Sequence, residues 1–251
     1  MKSWIRKAHR WLGLAFSITL LMSTGSGLLH IVMTRSQQAP PPARPSGGGL
    51  EAEAVRISLA DAVAASGGTG PAMAANIRTI KSQPCYQLFF PGERTPRYVD
   101  ATDGKADPGL EETYAAEIAS NFLGGAQVTK TGYLQDFNDE YINIFRILPV
   151  HRFDSPDGKG TRVYVSTVTG SVTRHTDDAK QFEASAFTRF HKLGFIPGKD
   201  ARDMVLGTIT GGVFAVSLLG VALFFLTRPK RKKMTDPDGL PYTPSSAPSP
   251  P

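Results

Sequence analysis

The chain has 251 residues, 28 Lys and Arg against 22 Asp and Glu, 41% hydrophobic residues and one Cys. A mean hydropathy of −0.17 excludes a polytopic transporter, and the apolar share, with 14 Phe, excludes a wholly disordered chain. The formal charge of +6 points to nucleic acid only if the basic residues form one face.

They do not. Residues 1–33 carry Lys2, Arg6, Lys7 and Arg10 with no acid, a net of +4; from Arg228 onward the net is +3; everything between sums to −1. Between the basic ends lie two uncharged apolar runs, residues 11–34 (WLGLAFSITLLMSTGSGLLHIVMT) and 204–227 (MVLGTITGGVFAVSLLGVALFFLT). Each exceeds the roughly 20 residues that a membrane-spanning helix needs. With the basic flanks outside both runs, the positive-inside rule predicts both termini in the cytoplasm and the intervening segment on the far side. A cleaved signal peptide also has a basic start and an apolar core. Here the core is too long for one, and no small-x-small site follows Met33 directly.

Residues 36–49 (SQQAPPPARPSGGG) read as a solvated tether. Ser58 before LADAVAAS predicts an N-capped helix ending at Gly67-Gly68. Strands are expected over 76–83 and 85–90, separated at Pro84, and over 97–101, turned by Thr102-Asp103-Gly104. The order then recurs: a helix over 111–122 ended by Gly124-Gly125, strands over 128–134 and 141–153, and a strand pair over 162–174. Aligning Gly104 with Gly170 brings RYVDATDGKAD onto RVYVSTVTGSVTR, 66 residues apart, which suggests a duplicated helix-plus-sheet module. Residues 182–193 read as an interfacial amphipathic helix ended by Gly194. The segment after Lys233 is Pro/Ser rich and is expected to be disordered.

The hairpin after a helix and strands resembles the PepSY module. HRWLGL at His9 to Leu14 and FHKLGF at Phe190 to Phe195 resemble the PepSY-associated transmembrane family of bacterial inner-membrane proteins. The resemblance covers most of residues 4–228. It implies an α+β periplasmic domain of two PepSY-like helix-plus-antiparallel-sheet repeats between two transmembrane α-helices. The parts run as a cytoplasmic N-terminus (1–10), a first span (11–34), a tether (35–54) and the periplasmic domain (55–180, repeats near 55–107 and 110–178). An interfacial helix and turn (181–200), a second span (204–227) and a cytoplasmic tail (228–251) follow. Many members have four or more spans, so two here suggest a homodimer.

Ionisable residues at a span are costly and mark function. His9 and His30 lie 21 residues apart on the first span, about 31 Å of helix and within about 60° of one another. His191 precedes the second span. Neutral imidazoles are axial ligands of haem iron. His30 and His191 are therefore candidate ligands of an outer haem b, with Arg189 and Lys192 as propionate partners. His9 from two chains would serve an inner haem, with Arg10 and Lys7 beside its propionates and Trp11 against the ring. Each histidine also has a plain structural reading as an interfacial or packing residue. His151 and His175 lack carboxylates at metal-ligand spacing and are expected at the surface or internally satisfied. The adjacent acids Glu111/Glu112, Asp139/Glu140 and Asp177/Asp178 point apart, against acid-base catalysis. Cys85 has no intrachain partner.

Two functions are expected from this. One is electron transfer through haem from a quinol or a separate donor protein to a ferric chelate or siderophore, the acceptor the resemblance implies, in iron acquisition. The other is a non-catalytic anchored domain that binds a periplasmic peptide or protein. Membrane lipid is the expected surrounding of both spans, and nucleic acid is disfavoured.

Overall fold

The computed structural model describes residues 2–37, 49–145 and 147–227. Most of the expected tether and the whole expected tail from 228 lie outside the described residues. The chain divides into two compact units, one comprising the residues up to Leu28 with those from Thr188, the other Leu29–Phe187.

The first unit is built on two long apolar helices. Helix α1 is Lys2–Ser36, about 52 Å at 1.5 Å per residue, and α5 is Lys199–Leu226, about 42 Å. Both exceed the roughly 30 Å hydrocarbon core, and both pass as membrane spans by length and composition. Almost none of their apolar surface is buried: Ile18, Leu21, Phe214 and Phe225 are all exposed. A core helix of a soluble protein would bury such a stripe; an apolar surface open all round suits lipid contact. The helices run antiparallel. His9, Gly13 and Phe16 of α1, at i, i+4 and i+7, meet Gly220, Val216 and Gly212 of α5 in reverse order. Gly212 leaves room for the Phe16 ring, whose Cζ stands 2.1 Å from where a Cβ would lie. Small residues at the crossing allow this approach.

The second unit holds an α+β domain of two small antiparallel sheets. Helix α2 (Leu59–Ala65) starts at Ser58, whose Oγ accepts from the Asp61 N–H at 3.1 Å. Strands β1 (Ala74–Ile80), β2 (Gln83–Phe89) and β3 (Arg97–Asp100) form the first sheet in that order. Helix α3 (Gly109–Phe122) follows, then β4 (Thr129–Leu134), β5 (Val150–Asp154), β6 (Arg162–Ser166) and β7 (Ser171–Thr176), the second sheet. Alternation along β2 and β3 covers the first sheet on both faces. Tyr86, Leu88 and Val99 pack under Ala62 of α2, while Cys85 and Tyr98 join Tyr114, Ala115 and Ile118 of α3 with Phe153, Val163 and Val165 of the second sheet. Helix α3 thus bridges both sheets.

Three expectations are corrected. The first hairpin turns at Lys81-Ser82, both at positive φ (48° and 62°), not at Pro84. Such a two-residue turn usually takes Asn or Gly; here the Lys81 N–H donates to Glu117 Oε1 of α3 at 2.7 Å and helps to hold it. Pro84 sits inside β2, opposite Thr79, and its carbonyl accepts from Ala101 just beyond β3, so its missing N–H falls where the ladder has ended. The second correction is that residues 141–145 and 147–149 are not strand. Asn138 Oδ1 accepts from the Glu140 and Tyr141 N–H groups, Asn143–Phe145 makes a 3₁₀ turn, and the fully buried Tyr141 stacks on Phe145 and packs on Tyr164. A curled loop lets one aromatic enter the core where an extended run would not. Third, the helix expected over 182–193 begins earlier. Helix α4 spans Asp178–Ala186 because Asp177 caps it, accepting from the Lys180 N–H at 2.8 Å, and a π-turn, Phe187–His191, follows. Leu193 then takes φ +50°. Gly194 is required there, since a Cβ would lie 2.8 Å from the Thr188 carbonyl oxygen.

Candidate functional site

The histidines on or beside the long helices share one pattern. His9 Nδ1 lies 3.1 Å from the Val216 carbonyl of α5, and its ring rests against Gly220. His191 Nδ1 lies 3.2 Å from the Ser23 carbonyl, with the Ser23 and Ser26 hydroxyls at 3.4 and 3.5 Å. His30 Nδ1 lies 2.5 Å from Glu183 Oε1. A carbonyl or carboxylate only accepts, so in each ring Nδ1 is the donor, which in a neutral imidazole leaves the lone pair on Nε2. This donor chemistry fits an axial haem ligand, whose other nitrogen ordinarily donates to such a partner. In the first unit the seats of His9 and His191 are separated by 14 residues of α1, about 21 Å. His9 and His191 therefore meet α1 at separate levels, and both contacts join α1 to its neighbours.

His30 has the most developed surroundings. It stands with Thr34 and Gln37 at i, i+4 and i+7, a single face of the helix end, and all three donate to Glu183 of α4. Thr34 Oγ1 reaches Oε1 at 3.1 Å and Gln37 Nε2 reaches Oε2 at 2.7 Å. The Phe187 ring lies 5.1 Å from the imidazole. Glu183 is 12% exposed at its side chain against 48% for His30, so the carboxylate is enclosed while the ring keeps an open side. The sequence offered a signal for this, a polar face of His, Thr and Gln emerging from an apolar span, but nothing in it named Glu183 as the partner.

Among the other expected propionate partners, Arg189 and Lys192 are exposed around His191. Arg10 is exposed too, its guanidinium 6.0 Å from the Trp11 ring centroid. Lys7 is exposed on the same stretch of α1.

Of the two settings expected for His151, the structure shows the internal one, satisfied on one nitrogen: it is buried in β5, its Nε2 stands 3.3 Å from Glu111 Oε1, and its Nδ1 has no partner among the described residues. Glu111 also accepts from Thr167 Oγ1 at 3.2 Å, so a carboxylate from α3 supplies what spacing in the chain did not reveal. His175 is half-buried beside Phe122 and Lys180; burial first, and the Lys180 charge second, depress its pKa. The adjacent acids diverge into separate partnerships: Glu112 with Lys130, Glu140 with Arg162, and Asp178 with Arg162. Burial drives the Cys85 thiol up to about 12. Among the described residues, no three or more His, Cys, Asp or Glu are grouped to hold a metal ion.

A cleft of about 970 Å³ runs along the outer face of α3. Gly109, Thr113, Ala116 and Ser120 line it, with Glu112 and Glu117 among them.

Compared with protein-family models, curated proteins and solved structures, the chain finds no match.

Proposed function

We propose that the chain is a membrane-anchored b-type haem electron-transfer protein of the PepSY-associated kind, in which His30 would hold the haem iron. The observation carrying this reading is the His30–Glu183 pair: an imidazole at the end of an apolar helix, its Nδ1 tied to an enclosed carboxylate. Bound haem b supplies one-electron exchange between ferric and ferrous iron. The chain's own residues do the rest. His30 would offer Nε2, His191 would be the candidate second outer ligand, from the same chain or a second copy, and Arg189 and Lys192 would neutralise propionates. His9, with Arg10 and Lys7, takes the corresponding part in a homodimer at the other membrane face. The basic flanks support a topology with both termini in the cytoplasm and the α+β domain in the periplasm of a bacterial inner membrane.

The two-repeat reading is supported by matched parts. Helix α2 with β1–β3 and an isolated Val99–Ala106 bridge parallels α3 with β4–β7, and Gly104 and Gly170 both turn at positive φ. Electrons enter from a quinol or a separate donor protein and leave to a ferric chelate or siderophore, the acceptor that the resemblance implies. Reduced-minus-oxidised spectra of membranes from haem-replete cells test the proposal. A b-type signal lost in His30→Ala or His191→Ala supports it; a colourless, haem-free wild-type protein refutes it.

The cleft along α3 favours a second reading, an anchored domain that binds a periplasmic peptide or protein. Thr113→Trp would fill that cleft. Under this reading it abolishes partner capture and leaves any haem spectrum unchanged.

A further inference from the structure

We infer that Glu183 is a positioning residue for His30: it fixes the proton on Nδ1, orients the ring, and through that hydrogen bond lowers the reduction potential of iron bound at Nε2. The inference rests on the haem reading above and adds to it a residue of α4.

The geometry separates two tasks within one clasp. Thr34 and Gln37 spend their donors on the same carboxylate as His30, one on each oxygen. Glu183 is thereby held by two neutral hydrogen bonds that do not involve the imidazole. Its negative charge remains available to Nδ1–H, the only nitrogen-borne ring proton in the cluster, at 2.5 Å. The enclosure of Glu183, 12% exposed, keeps water from screening that charge. A carboxylate accepting from Nδ1 moves electron density onto the ring and makes Nε2 more basic. A more basic axial ligand stabilises ferric over ferrous iron, so the potential falls. Phe187 packs against the ring and limits its rotation about the Nδ1 bond.

The test uses the full-length protein purified in detergent. Its readouts are the haem-to-protein ratio, the g-values of the ferric EPR spectrum and the midpoint potential from redox titration. Glu183→Gln keeps the side chain's shape and removes its charge. It is expected to retain haem, shift the g-values and move the midpoint to more positive potential. The double variant Thr34→Val/Gln37→Leu weakens the clasp but leaves Glu183 on His30; it is expected to keep wild-type g-values and midpoint. Glu183→Asp, which retains a carboxylate, carries the comparison if the Gln variant does not accumulate, with a smaller shift in the same direction. Wild-type g-values and midpoint in haem-loaded Glu183→Gln overturn the inference. So does a double variant that shifts as far as Glu183→Gln, because the effect is then one of docking and not of charge. A wild-type protein without haem overturns the functional proposal itself, and this inference with it, which distinguishes the two failures.

Discussion

Arg162→Met removes the cation that joins three parts of the α+β domain. Arg162 Nε donates to both oxygens of Glu140 at 2.9 and 3.1 Å, and Nη1 donates to the Gly160 carbonyl and to Asp178 Oδ1, both at 2.7 Å. Glu140 also accepts from the buried Tyr164 hydroxyl at 2.6 Å. The Asp178 arm is worth little, because Asp178 is 71% exposed. The Glu140 arm is enclosed, with side-chain exposures of 14% and 21%. A hydrogen bond to a charged group contributes about 1.5–3 kcal/mol, so the variant should lose about 2–3 kcal/mol, or roughly 6–9 °C in Tm for a domain of this size.

The pH dependence follows from Glu140. Burial alone would raise its carboxyl, but the hydrogen bonds from Arg162 and Tyr164 outweigh it and hold the group below its usual range. A depressed carboxylate contributes stability above its unfolded value, about 4.3, and that contribution is lost as pH falls through the folded value. Without Arg162, burial prevails and Glu140 protonates at higher pH. Thermal unfolding of the full-length chain in detergent, followed by near-ultraviolet circular dichroism of its buried tyrosines, reads this directly. The Tm difference between wild type and variant should be full at pH 7 and shrink below about pH 4. A difference that stays constant from pH 7 to pH 3 would refute the assignment to the Glu140 charge.

Two further outcomes are expected. Gly170→Ala places a Cβ 2.7 Å from the Tyr114 hydroxyl at φ +65°; left-handed backbone costs about 1 kcal/mol and the buried tyrosine adds more, so chemical denaturation should show a loss of about 2 kcal/mol. A loss under about 0.5 kcal/mol would mean that the turn repacks freely. Cys85, buried and with its thiol raised to about 12, should resist maleimide at pH 8 in the folded chain and react within minutes once unfolded. Its raised value also means that stability falls as pH climbs past about 8.5, where an unfolded thiol begins to ionise. Rapid labelling of the folded protein would contradict that burial.

Features made by neighbours in the chain were legible. The Ser58 cap, the glycines ending α3, the hairpins turned at Gly104 and Gly170, and the two apolar runs all depend on residues a few positions apart. The errors share the opposite cause. Lys81-Ser82 carries no turn signature because Glu117 of α3 helps to support it. Tyr141 reads as strand because its reason for leaving one, a seat against Tyr164, is far along the chain. The partner of His151 is not legible in the sequence because Glu111 comes from a different element.

The candidate site divides in the same way. Composition and charge distribution alone set two apolar helices around a polar, nearly neutral α+β segment, and singled out His9, His30 and His191, since an imidazole among apolar residues is conspicuous in one dimension. Tertiary structure alone decided what each ring touches. It set His9 on Val216, His191 on Ser23 and His30 on Glu183, because hydrogen-bond partners are chosen by distance in space, and a carboxylate more than 150 residues away leaves no trace in the spacing around His30.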